Sequence, residues 1–251
     1  MPPRNIQVRQ LPEPTDAQIE SITRVLMDAF YDDSTLQAVL SGQHKNEPVY
    51  HTFFRMQVLG LAHSGDIWIA EDETQEDAAR KIVGVAGWFG PGRMFMDSQE
   101  QREAAEAIKL REVLPKDYAE WFLSFVRSPL VDFHLIPLPT PNLQYLPRVA
   151  TFPDRWIGKT TEKDNWFLLA LAVLPAYQGK GIGQALFRAR AALALSDDRR
   201  VFWHAVLPET VAMYESWGAV IRGSEVFECM GRKAVVPKWL LELKSPTSGP
   251  P

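Results

Sequence analysis

The stretch LAVLPAYQGKGIGQALF, Leu171 to Phe187, decides the reading of this chain. It leads from an apolar segment through Gly179, Gly181 and Gly183 into a helical pattern. A strand, a glycine-rich turn and a helix in that order gather anions. The first N–H groups of a helix lack partners within it, and the aligned peptide dipoles put partial positive charge there. Glycine adds freedom to take positive φ and lets the backbone approach phosphate oxygens closely. Two familiar phosphate loops fail to match. A Walker-type loop needs Ser or Thr after Lys180, where Gly181 stands. A dinucleotide fingerprint begun at Gly179 needs its third glycine at Gln184, and one begun at Gly181 needs it at Leu186. The pattern that fits is Q-x-x-G-x-G, Gln178 to Gly183.

Working outward, WFLLALAV (166–173) is a continuous apolar run, as expected of a strand covered on both faces. After the glycines, Ala185, Leu186, Ala189, Ala192 and Leu193 form one stripe of a helix over 183–195. VFWHAV (201–206) reads as a strand, PETVAMYESW (208–217) as a short helix, EVFECMGRKAV (225–235) as the last strand, and 244–251 as a flexible tail. Upstream, IQVRQL (6–11) reads as a first strand and 15–30 as a helix capped by Thr15 and Asp16. A second helix follows at 49–64, then paired strands at 66–73 and 81–92. The span 90–165 exceeds what a compact α/β domain needs. Within it, Ser98 and Gln101 suggest a capping box opening a helix to Leu114, a second helix covers 116–127, and 137–147 is a proline-rich loop. Its aromatic residues Tyr118, Trp121, Phe122, Phe125 and Phe133 argue for packing against the domain.

Composition narrows the function classes. A chain of 251 residues, 46% hydrophobic, suits a single domain over 1–251 with an insertion at 90–165. A net charge of -4 speaks against nucleic acid as a partner. The single Cys229 excludes a disulfide framework, and the five histidines show no ligand spacing, so no metal is expected. The absence of a long apolar run or a signal-peptide core leads us to expect no membrane association and a cytoplasmic location.

The hexapeptide Gln178–Gly183, directly after a strand and before an Ala/Leu helix, resembles the pyrophosphate-binding motif of the GNAT superfamily of acetyl-CoA-dependent N-acetyltransferases. Downstream, MYESWGAV places Tyr214 four residues before Gly218, as in that family's Y-x-x-x-G-F signature. VLMDAFYDDS and IVGVAGWFGPG are similar to the first helix and third strand of a fungal-type branch. The likeness covers 6–92 and 165–235. Ala219 departs from the usual aromatic, and VLPETVAMY lacks the Asn with which many members contact the cofactor.

The resemblance implies a GNAT-type acyl-CoA N-acyltransferase fold: a mixed, mostly antiparallel sheet with helices on both faces and a long insertion between strands 3 and 4. It implies acetyl-CoA as co-substrate and direct transfer to a primary amine, expected to be a small one; a homodimer is compatible with it. A sensor that binds acyl-CoA without turnover, or a protein amine as acceptor, are the alternatives. The cofactor would be held by Gln178, Gly179, Lys180, Gly181, Ile182, Gly183 and Gln184, with the main chain of Leu171 and Val173 along the pantetheine arm. The Val173 N–H would stabilise the oxyanion, and Tyr214 would protonate the leaving thiolate. No motif marks the general base; His204 is the first candidate, and Asp132 and His134 are the second. Phe30, Tyr31 and Asp32 would wall the acceptor pocket, with Asp33 as a second acid there.

Overall fold

The computed structural model describes residues 2–33, 36–37, 40, 43–116, 152–158, 164–228 and 235–243. Strands β1 (Ile6–Gln10), β2 (Asp66–Asp72), β3 (Ile82–Phe89), β4 (Trp166–Val173), β5 (Val201–Ala205), β6 (Val220–Glu228) and β7 (Val235–Leu243) form a 7-stranded sheet. Their order is β1-β2-β3-β4-β5-β7-β6. All neighbours are antiparallel except β4 and β5. This is the mixed, mostly antiparallel sheet that the resemblance implies.

Helices cover both faces. Helix α1 (Asp16–Ala29) and helix α2 (Glu47–Ser64) bury Ile22, Leu26, Tyr50, Phe54 and Leu61 against Ile69, Val85, Phe167 and Phe202 on one face. The other face carries the helices that follow β4 and β5. There Ile182, Leu186, Phe187 and Ala191, with Val211 and Tyr214, meet Val83, Trp88, Leu168 and Trp203. Two helix layers around a sheet bury the continuous apolar runs read from the sequence, because a central strand must be apolar on both sides. Helix α1 begins at the expected cap: Thr15 Oγ1 accepts from Gln18 N, and Gln18 Oε1 accepts from Thr15 N at 2.9 Å.

The insertion differs from expectation where it is described. The helix expected over 98–114 is two short ones, α3 (Gln99–Ala104) and α4 (Lys109–Val113), with Glu106 between them at φ 53°. That break turns Ala105, Ala107 and Leu110 together onto Val49 and Met56 of α2. The capping box is half formed. Ser98 Oγ accepts from Gln101 N at 3.1 Å, while the fully buried Gln101 side chain serves Met96 N, Met94 O and Ser64 Oγ instead. The insertion returns as α5 (Phe152–Ile157), laid across β6: Arg155 pairs with Glu225 at 2.7 Å, and the Trp156 ring lies on Gly223, where any Cβ would overlap it. The helix expected over 116–127, the loop 137–147 and the tail 244–251 fall outside the described residues, as do Asp132 and His134.

The C-terminal reading needs a larger correction. The single strand expected over 225–235 is the end of β6 and the first residue of β7. VVPKWLLEL (235–243) carries a proline and two charged residues, so its sequence does not look like an inner strand. Yet β7 lies between β5 and β6. Pro237 is tolerated because β5 pairs no further than Ala205↔Trp239, leaving a neighbour on one side alone. Glu242 is fully buried but held by Arg200 and Arg222.

Candidate active site

The parallel pairing of β4 and β5 is short: Trp166↔Val201, Phe167↔Phe202 and Leu168↔Trp203. Beyond Leu168 the two strands part. On its other side β4 stays paired with β3 up to Gly84↔Val173, and Leu174 N donates to Val83 O at 2.9 Å. Amide directions alternate along a strand, so Ala172 and Leu174 face β3 while Leu171 and Val173 turn their N–H and C=O groups toward the gap. The sheet is thus open at the β4 residues singled out from the sequence.

From the end of β4 the chain makes a single 3-10 turn, Pro175–Tyr177, and enters the glycine loop. Gly179 and Gly181 have φ of 72° and 77°, in the left-handed region that glycine enters without strain. Gly181 is the N-cap of the 15-residue helix α6 (Ile182–Ser196) and has no side chain to cap with. The first helical bond is Ala185 N to Gly181 O at 3.1 Å. The N–H groups of Ile182, Gly183 and Gln184 therefore have no partner within the helix, and the loop before them is exposed. Those donors and the helix dipole suit this end of the gap to an anion. The side-chain amide of Gln178 donates to Val173 O at 3.0 Å. Lys180 turns back: its ammonium donates to Ala176 O at 2.8 Å and lies 5.2 Å from the centre of the Tyr177 ring.

Helix α7 (Pro208–Ser216) follows β5 and carries Tyr214, which is 5% exposed. Its ring meets Trp203 at 4.9 Å, Trp217 at 5.1 Å and Phe187 at 5.8 Å. Burial pushes the phenol pKa upward, so the hydroxyl keeps its proton at neutral pH. The Tyr-x-x-x-Gly spacing has a backbone cause. Gly218, at φ 101°, ends the helix by letting Ala219 N reach Tyr214 O at 3.1 Å.

His204 is the residue after the last position at which β5 pairs with β4 and faces away from Trp203 and Tyr214, because side chains alternate along a strand. Its ring lies 5.5 Å from both Phe152 and Phe167, and its Nε2 is buried without a hydrogen-bond partner. Burial first, and the nearby charge of Lys238 second, hold its pKa well below the ordinary 6.5. On the same face Phe30 stacks on Phe54 at 5.9 Å, and the exposed Tyr31 meets Tyr50 edge-on at 6.3 Å. Asp32 is exposed beside them, and Asp33 Oδ1 accepts from Leu36 N at 2.8 Å.

Two side chains here were not read from the sequence. Trp217 lies beside the helix start: with the Gln184 amide oriented to place its oxygen there, the indole N–H meets it at 3.3 Å, and a Cβ on Gly183 would be 3.9 Å from its ring. Its position three residues after Tyr214 on one helix was the available signal. Phe152 belongs to the insertion, and nothing in the sequence points it at His204. Among the described residues no cluster of His, Cys, Asp or Glu could hold a metal ion, and no helix is long and apolar enough to cross a membrane.

Residues 149–218, which carry β4, the glycine loop, α6, β5 and α7, match the family model described as Acetyltransferase (GNAT) domain. No curated protein matches the sequence. Among solved structures, a histone acetyltransferase HPA2 and related acetyltransferase from Corynebacterium glutamicum is similar over 98% of this chain and 98% of its own, with 19% identity and a TM-score of 0.57. A mutant agmatine N-acetyltransferase in its apo form is similar over 95% of this chain and 100% of its own, with 15% identity and a TM-score of 0.52. The fold is that of the GNAT acetyltransferases. The matched segment is an acetyltransferase domain, and such a domain takes acetyl-CoA as co-substrate.

Proposed function

We propose that the chain transfers the acetyl group of acetyl-CoA directly to the primary amine of a small molecule. The observation that carries this reading is the gap between β4 and β5, which ends at a helix start whose N–H groups have no partner. An extended pantetheine arm can lie along the exposed edge of β4 as an added strand, bonding to Leu171 and Val173. The diphosphate then meets the N–H groups from Gln178 to Gln184, with Lys180 adding positive charge to the loop.

The amine nitrogen attacks the thioester carbonyl carbon, and the carbonyl oxygen takes up negative charge facing the Val173 N–H. The C–S bond breaks as the carbonyl re-forms, and Tyr214 gives its proton to the departing thiolate. The nitrogen becomes more acidic as it bonds to carbon, and a neutral imidazole such as His204 can then accept its proton. The N-acetylated amine and free CoA result, and proton exchange with solvent restores both side chains. The buried Nε2 of His204 and the protonated phenol of Tyr214, on opposite faces of β5, support these roles.

Phe30, Tyr31 and Asp32 wall the acceptor side, and the docking of Phe152 against His204 supports the insertion as a second wall. A walled pocket favours a small amine over a protein tail. The fungal branch rests on VLMDAFYDDS and IVGVAGWFGPG alone. Thiol release from acetyl-CoA across a panel of small amines and peptides tests the reading. Turnover restricted to peptides removes the small-amine assignment, and tight CoA binding with no turnover on either set leaves a sensor.

A further inference from the structure

Packing alone does not hold the loop that would take the diphosphate, although Leu174 and Tyr177 rest against the core beneath the sheet. Behind the 3-10 turn lies a cavity of about 520 Å³, lined by Pro3, Asn5 and Ile6 on one side and by Ala176, Tyr177 and Lys180 on the other. One hydrogen bond crosses beside it: the Tyr177 hydroxyl donates to Asp72 Oδ2 at 2.8 Å, joining residues 105 apart in sequence. Asp72 ends β2 and is 4% exposed. Its other oxygen accepts from Asn5 Nδ2 at 2.7 Å, Thr74 N at 3.0 Å and Thr74 Oγ1 at 2.7 Å. An acceptor held by three donors of its own is a fixed point, and a hydrogen bond to a carboxylate is among the stronger ones available. The Tyr177 ring in turn lies under Lys180, whose ammonium closes the turn on Ala176 O.

We infer that Asp72 and Tyr177 are positioning residues for the cofactor: the bond between them holds the glycine loop in its binding geometry before acetyl-CoA arrives. The inference rests on the reading of the loop as the acetyl-CoA site. Neither side chain needs to touch the cofactor. Among the ties that hold the segment are Leu174 N to Val83 O behind it, Gln178 Nε2 to Val173 O in front and Tyr177 to Asp72 at the side. Of these, the third is the one made by a side chain of the turn itself. Without it, the loop must be ordered when the cofactor binds, and that ordering is subtracted from affinity.

Tyr177→Phe tests this, since it keeps the ring under Lys180 and removes the hydroxyl alone. Titration with CoA is expected to give a Kd raised by about tenfold, the scale of one lost charged hydrogen bond. The melting temperature of the unliganded protein should stay within a few degrees of the parent. With any amine the enzyme accepts, KM for acetyl-CoA should rise by the same factor while kcat at saturation is unchanged. A general structural lesion would not produce that division. If Tyr177→Phe does not fold, Asp72→Asn carries the test, because it keeps the size of the group and loses the charge under Tyr177. A parent that binds no CoA overturns the acetyl-CoA reading and this inference with it. A parent that binds CoA, beside folded variants that bind it as tightly, overturns this inference alone.

Discussion

The side-chain amide of Gln178 donates to the main-chain carbonyl of Val173 at 3.0 Å, tying the first residue of the glycine loop to the last residue of β4. The bond occupies the acceptor that Val173 turns toward the gap and leaves its donor uninvolved. The helix-start end of the gap and the proposed oxyanion donor therefore belong to one short segment joined by that bond. On the proposed reading, a shift of the loop would carry over to the position of the thioester.

Gly183 differs from the two glycines before it, and the difference can be measured. A Cβ at Gly183 would stand 3.7 Å from Val173 Cγ2 and 4.0 Å from Leu171 Cδ2, in ordinary contact and on the gap side of the helix start. Gly183→Ala should fold with little change in melting temperature. Crowding the cofactor's path should weaken CoA binding by about 1–3 kcal/mol, roughly 5- to 150-fold. Gly181→Ala should instead lower stability by about 1–2 kcal/mol, because its φ of 77° strains any residue with a Cβ. Calorimetric CoA titration and thermal melts on both variants read the contrast. Equal CoA affinity in Gly183→Ala and parent moves the cofactor elsewhere.

Tyr214→Phe keeps the ring among Phe187, Trp203 and Trp217 and removes the proton donor. CoA affinity should hold while kcat falls by roughly 10²–10⁴-fold, the usual scale of general acid catalysis. Single-turnover rates, which exclude product release, are the measurement. An unchanged rate would make Tyr214 a packing residue.

The depressed pKa of His204 makes stability depend on pH, with a definite sign. Above its ordinary value of 6.5, His204 is neutral in both the folded and unfolded states and contributes no slope. Below 6.5 the unfolded chain takes up a proton that the buried ring refuses, so stability falls with pH until the folded pKa is reached. The slope approaches about 1.4 kcal/mol per pH unit for a single group. His204→Phe, set against Phe152 and Phe167, should remove that component. Urea midpoints between pH 7 and pH 5 should therefore fall less steeply in the variant. Parallel curves would mean that His204 takes up its proton in the folded state.

Phe152 links the insertion to the site. It is fully buried, 5.5 Å from His204 and 5.6 Å from Phe227. Phe152→Ala should destabilise the fold by about 3–5 kcal/mol, as loss of a buried aromatic ring does. With the wall opened, KM for the amine should rise more than KM for acetyl-CoA. Equal rises in the two would separate the insertion from the acceptor pocket.

The glycine loop and α6 were legible in the sequence because their information is local. A strand-turn-helix reports itself within seventeen residues, and the positive φ values at Gly179 and Gly181 are what glycine at those positions foretells. The helix stop at Gly218 is local in the same way. The cap at Thr15 and Asp16 was read from those residues and the helical pattern behind them. By contrast, β7 was missed because its inner position depends on β5 and β6, and Glu242 is admissible there only because Arg200, just before β5, and Arg222 of β6 reach it. The break at Glu106 escaped notice for a similar reason: it answers to the face of α2, 45 residues or more upstream.

Residue order alone thus determined the order of most elements and the phosphate-type turn, since periodicity, caps and glycine conformations act over a few residues, and the fold class followed from the family resemblance those residues carry. Tertiary structure decided the rest. The β4–β5 gap exists because pairing stops at Leu168↔Trp203, which neither strand encodes by itself. The unpartnered Nε2 of His204, the aromatic enclosure of Tyr214 and the Asp72–Tyr177 bond each join segments far apart in the chain. Burial and contact between distant segments set the desolvation that shifts a pKa and the geometry that aims a hydrogen bond, and no local pattern carries either.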